Sequence, residues 1–173
     1  MKENHLALVA AASLCVGGLL GLAGSFSPAE FRGIAWGIDG TALVVGTLIL
    51  AVHHTKRGNE QLAAGFFTFV AGQTLVVSSS AMDLAASSPS FGAGAGLWAA
   101  GLALVSASPA MHLFVRATGA IASILFALVA FQIYSGTALT PLSEPLPFFA
   151  YPFLVLTLFG WAADHYRRTR DEA

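Results

Sequence analysis

Cysteine is all but absent from this chain: Cys15 stands alone among 173 residues. No intrachain disulfide can form, which excludes a stapled secreted domain. Charge is scarce too, with Lys, Arg, Asp and Glu making up 10% of residues against roughly 25% in soluble domains. The eight Lys and Arg and nine Asp and Glu leave a net charge of -1, so there is no basic surface for nucleic acid. GxxxxGK, CxxC, HExxH and GxSxG motifs are all missing. Neither an enzyme nor a bound cofactor is expected, and His5, His53 and His54 do not have a metal-ligand spacing.

What the chain does have is apolar residues, at 56%, and a mean hydropathy of +0.74. The few charges fall in short clusters. Between them lie six windows nearly long enough or long enough to span a bilayer: Leu6–Gly24, Gly33–Val52, Gln61–Met82, Phe91–Ser108, Ala117–Ser135 and Pro147–Ala163. Only the second contains an acidic or basic residue, Asp39. The windows are rich in Ala, Leu and Gly and lack two-residue alternation, so they are read as helices rather than barrel strands. Backbone in lipid must satisfy its own hydrogen bonds, which favours the same assignment. The first window is read as a retained helix, since Glu3 and His5 spoil the start of a signal peptide and no clear cleavage site follows.

With six spans, Lys2, Lys56, Arg57, Arg116, Arg167, Arg168 and Arg170 share one side, and Arg32 is alone on the other. The positive-inside rule then places both termini in the cytoplasm of a bacterial-type inner membrane, with residues 167–173 a short basic tail. His53, His54, Trp161 and Tyr166 are read as interfacial anchors.

The chain also repeats itself. Ser27-Pro28-Ala29 and Arg32 recur as Ser108-Pro109-Ala110 and Arg116, and Arg32 to Arg116 is a shift of 84. The same shift carries windows one, two and three onto four, five and six. The expected fold is therefore an all-α membrane protein of six transmembrane helices arranged as two inverted three-helix repeats, about 5–83 and 90–166, in a single domain. Such repeats are typical of transporters and channels, with the solute path between the halves. Gly17 with Gly21, and Gly33 with Gly37, are small-xxx-small pairs that suit close helix packing. Pro152 is placed to kink the last helix.

Several residues then stand out as path-lining. Phe66, Phe69 and Gln73 share one helix face, with Thr68 beside them. Ser13, Thr41, Thr47, Thr74, Ser123 and Gln132 supply further hydroxyl and amide groups inside the windows. An apolar ring with an amide one turn away suits a molecule with a methyl end and a carboxylate end. Asp39, about 10 Å along the helix from Arg32, must face a partner, water or a proton, and is a candidate for proton coupling.

Lys56-Arg57-Gly58-Asn59, followed by Phe66, Thr68 and Phe69, resembles the opening of the third helix in the acetate uptake transporter family. Leu97-Trp98, and Arg116 followed by Leu125-Phe126-Ala127, resemble its fourth and fifth helices, so the likeness runs from about Ala51 to Phe131. The resemblance implies six spans, a homo-oligomer of hexameric type with one pore per subunit, and passage of acetate or related small monocarboxylates. The family narrows its pore with a Phe, a Tyr and a Leu, which fall here on Ser13, Phe69 and Ala122. The first helix lacks the family's proline-rich opening, so this is a divergent relation. A neutral-solute channel of the urea or amide type, or a non-transporting subunit of a membrane complex, also fits the composition.

Overall fold

Long runs of Ala, Leu, Val and Gly bounded by proline, glycine or charge become helices, because in an apolar solvent only the intrahelical ladder satisfies the backbone. The computed structural model describes residues 2–80, 83, 86–144, 146 and 148–171. It contains six helices among them: α1 Lys2–Phe26, α2 Ala29–Lys56, α3 Glu60–Ser80, α4 Ser88–Ala107, α5 Leu113–Tyr134 and α6 Ala150–Asp171. Met82, at the end of the third window, and Pro145 and Pro147, before the sixth, lie outside the described residues. The boundaries have local causes. Gly58 (φ +70) and Gly136 (φ +95) adopt the left-handed conformation just beyond α2 and α5. Pro152 sits in the first turn of α6, where its missing N–H needs no partner. That position explains why it starts the helix instead of kinking it.

Five helices, α1 to α5, are long and apolar enough to cross a membrane, and the chain is a multi-pass membrane protein by this composition. The sixth departs from the six-span expectation. Its apolar part runs only from Ala150 to Ala163 before Asp164, His165 and the arginines, about 21 Å at the helical rise, against a hydrocarbon core near 30 Å. It is held by its neighbours instead. Each helix packs on the next in sequence, and α6 returns to α1, so the six form a closed ring. Neighbours are antiparallel: Gln61 Nε2 at the start of α3 donates to the Leu104 carbonyl near the end of α4 at 2.9 Å.

Glycine sets how closely the helices approach. A Cβ on Gly17 would lie 2.5 Å from the Leu43 side chain, and one on Gly21 would lie 2.9 Å from Asp39 Oδ2, so α1 and α2 pack backbone to side chain along this seam. Between α3 and α4, a Cβ on Gly72 would lie 2.8 Å from the Gly94 carbonyl, and one on Gly101 would lie 2.8 Å from the Gly65 carbonyl. Gly33 and Gly37 meet nothing within 4 Å. That pair, unlike Gly17 and Gly21, makes no packing contact inside the chain, because the face of α2 it occupies points away from the ring.

The ring's interior is filled by aromatics. Phe66, Phe69, Phe91 and Phe126 are fully buried and Trp161 nearly so. Trp161 was expected at an interface; it is instead a central core residue, because α6 turns that face toward α3. Introducing Gly101→Leu forces side-chain atoms into the α3 backbone and should destabilise the protein by about 1–3 kcal/mol. Gly37→Leu, on the open face, should leave stability unchanged. Thermal unfolding of both purified variants in detergent checks the pair.

Candidate functional site

Most polar side chains in the helices are satisfied locally. Thr41 donates its hydroxyl to the Gly37 carbonyl at 2.9 Å, Thr68 to Ala64 at 2.8 Å and Thr74 to Ala71 at 2.7 Å. Thr47, fully buried, bonds the Leu43 carbonyl. Ser123 Oγ reaches across from α5 to the Ala99 carbonyl at 2.7 Å. Thr157 bonds both Phe153 and Thr118. These groups are consumed by backbone and hold helices in place.

A different set is not. Asp39 Oδ1, Gln73 Oε1 and Trp98 Nε1 are sealed from solvent and find no hydrogen-bond partner among the described residues. All three residues line one cavity of about 50 Å³ inside the ring. Its walls come from Gly17, Gly18 and Gly21 of α1, Leu43 of α2, and Leu154 and Leu158 of α6. A site of this size holds a few water molecules or one small organic molecule. Leaving a buried polar group unpaired costs about 1–3 kcal/mol each, so three around one void is a concentrated expense.

Local structure places each member. The small α1 residues let Asp39 lie directly against Gly21. Trp36 donates Nε1 to the Gly21 carbonyl at 3.3 Å and forms a wall. Arg32 lies over the Trp36 ring at 5.8 Å, with Nη2 on the Ser27 carbonyl at 3.0 Å. Tyr151, at the start of α6, contributes its ring while its hydroxyl donates to the Pro141 carbonyl at 2.8 Å. Asp39 lies ten residues into α2 from Ala29, about 15 Å along the axis.

On the other side of the cavity the ring is plugged. Trp98 stacks on Phe69 with centroids 5.7 Å apart, and Phe69 meets Trp161 edge-on at 5.4 Å. Trp161 meets Phe66 at 4.9 Å, and Phe66 stacks on His54 at 5.5 Å. Phe126 joins Trp98 to Tyr151. The column runs from the cavity to the end of the bundle that carries Lys56. His54 is 8% exposed and closes it, so it packs inward rather than anchoring the chain at an interface. His53 lies between His54 and His165, with centroids 5.2 and 4.5 Å away.

Of the residues singled out by sequence, Asp39 and Gln73 meet in the cavity, and Phe66 and Phe69 lie in the aromatic column. Ala122 is fully buried and Ser13 half-buried. Thr68 and Ser123 are on the satisfied side, and Gln132 is exposed on α5. Trp98 and Trp161 were not counted as site residues. Their isolated position in apolar windows was the available signal, since a buried indole N–H asks for an acceptor. No known protein family, curated protein or solved structure matches the chain.

The two classes respond oppositely to removal. Ser123→Ala should lower stability by about 0.6 kcal/mol, the mean for an interhelical bond in lipid. Gln73→Leu removes an unpaired buried amide of similar volume and should leave the melting temperature unchanged or raise it. Unfolding curves of the two purified variants test this contrast.

Proposed function

We propose that the chain carries a small solute across the membrane through the helix ring, with the Asp39–Gln73–Trp98 cavity as its binding station. The observation that carries this reading is that three of the seven unpartnered buried side-chain atoms among the described residues converge on one void. The proposed solute is a short monocarboxylate, such as acetate, taken up with a proton. No Lys or Arg lines the cavity, so a bare anion beside Asp39 would be repelled. With one shared proton the set becomes complementary. The acid O–H, or a protonated Asp39, bridges the two carboxyl groups, and Trp98 Nε1–H donates to the solute's other oxygen. The methyl end meets Leu43, Val76 and Leu154. Arg32, leaning over the Trp36 wall, draws anions to this end. The resemblance to the acetate uptake transporter family supports the same solute class.

Inverted repeats belong to this proposal. Arg32 bonds the Ser27 carbonyl, and Arg116 Nε bonds the Ser106 carbonyl at 3.0 Å. In each half, an arginine in the first turns of a helix reaches back to the end of the helix before it. At the shift of 84, Asp39 and Gln73 fall on Ser123 and Thr157, both already hydrogen-bonded. The first half then supplies the acid and the amide of the station and the second its indole, while the aromatic column draws on both halves. Cytoplasmic termini, an inner-membrane location and a homo-oligomer complete the reading.

A second reading has one observation of its own. Two of the three unpartnered atoms, Asp39 Oδ1 and Gln73 Oε1, are acceptors, which suits the N–H groups of urea or a short amide. Uptake of labelled acetate and labelled urea into proteoliposomes, with and without a pH gradient, separates the two. The proposal predicts acetate entry driven by acid outside, and Asp39→Asn flux that ignores the gradient. Gradient dependence that survives Asp39→Asn returns Asp39 to a structural role, and faster urea entry favours the second reading.

A further inference from the structure

A larger cavity lies apart from the central one. It lies between α1, α2 and α6, measures about 280 Å³, and is lined by Leu6, Leu48 and Val52 on one side and His53, Lys56 and His165 at its end. Leu6, Leu48 and Val52 are 54%, 41% and 42% exposed, so the groove opens sideways onto the surface that faces lipid. Its polar end coincides with the last turn of α2, where Lys56 is exposed. The His53, His54 and Thr55 carbonyls there accept from the backbone N–H groups of Arg57, Gly58 and Asn59, which leaves fewer bare acceptors to oppose an anion.

The groove exists because α6 is short in apolar length. Past Ala163 the helix continues through His165 and Thr169, which stay buried against the bundle at 6% and 5% exposure. One wall of a lipid-facing groove is therefore polar at the level where α1 begins its apolar run at Leu6. A lipid tail alone would leave that wall unmatched. A protein helix would have to bring both an apolar edge and an anion to the same level.

We propose that this groove is a binding site for an anionic phospholipid, with one acyl chain along Leu48, Ile49 and Val52 and the phosphate at Lys56 beside His53 and His165. The chemistry is that of a basic pocket between spans at a membrane surface. The site is independent of the central cavity and of any solute that passes there.

Native mass spectrometry of the purified protein, released from detergent with equal phosphatidylglycerol and phosphatidylcholine, reads the site directly. The wild type should retain one phosphatidylglycerol in preference to phosphatidylcholine. Lys56→Gln should reduce that preference roughly fivefold, the ratio equivalent to about 1 kcal/mol per basic residue near the surface. Arg167→Gln, a charge removed from the same end but outside the groove, should leave it unchanged. Val52→Trp, which fills the exposed rim without entering the core, should abolish retention of the tightly held lipid, and an unchanged melting temperature will show that it folds. Equal retention of both lipids by the wild type overturns the proposal. So does an Arg167→Gln effect as large as that of Lys56→Gln, which would mean diffuse surface charge. Displacement of the lipid by soluble glycerol phosphate would overturn the acyl-chain part, and a second copy of the chain retained in place of lipid would assign the groove to an oligomer contact.

Discussion

In a bilayer core no water rescues an unpaired polar group, and the arrangement of this chain follows from that constraint. The hydroxyls of Thr41, Thr47, Thr68 and Thr74 each turn back onto a carbonyl of their own helix. Ser123 and Thr157 use theirs to tie neighbouring helices. Against that economy, seven buried side-chain atoms among the described residues lack a partner, and those of Asp39, Gln73 and Trp98 lie together. These three surround a void, whereas those of His54, Ser106 and Trp161 lie elsewhere in the core. On the proposed reading, the solute completes the hydrogen bonding at this cavity.

Glycine makes this placement possible. Gly21 gives Asp39 room against α1, and the Gly65–Gly101 and Gly72–Gly94 approaches bring α4 close enough for Trp98 to stack on Phe69. The same closeness shuts the ring on its other side, where Phe69, Trp161, Phe66 and His54 follow one another. On the proposed transport reading, the polar station on one side and the aromatic plug on the other form a path closed at one end. On that reading, opening would part Trp161 and His54 from Phe66, which they meet in the closed column.

Much of this was legible in the sequence. Charge-free windows predicted helices, and Asp39 announced itself as the one acid within them. The shared face of Phe66, Phe69 and Gln73 is carried by helical periodicity and points into the ring. Other features were hidden because they depend on which helix faces which. Trp161 and His54 read as interfacial anchors from their position near the ends of apolar windows, yet both face the core, from α6 and α2, against Phe66. Gly33 and Gly37 have the same spacing as Gly17 and Gly21 but lie on the outer face, since spacing fixes a stripe and not its partner. Thr68 and Ser123 look like path hydroxyls until their bonds are traced. The short apolar length of α6 was masked by Phe148 and Phe149, which form a turn instead of extending the helix.

The central claim is that unpaired buried polar atoms gathered on one cavity, rather than polar residues as such, mark the solute site. Flux per folded molecule in proteoliposomes, measured on two pairs of variants, tests it most directly. Gln73→Leu and Trp98→Phe each remove an unpartnered group, and should cut acetate uptake about tenfold, the loss expected for one hydrogen bond to solute. Thr68→Val and Ser123→Ala each remove a satisfied hydroxyl and should leave uptake close to wild type once the folded fraction is normalised. An equal fall in both pairs, or full flux from Gln73→Leu and Trp98→Phe, would contradict the account.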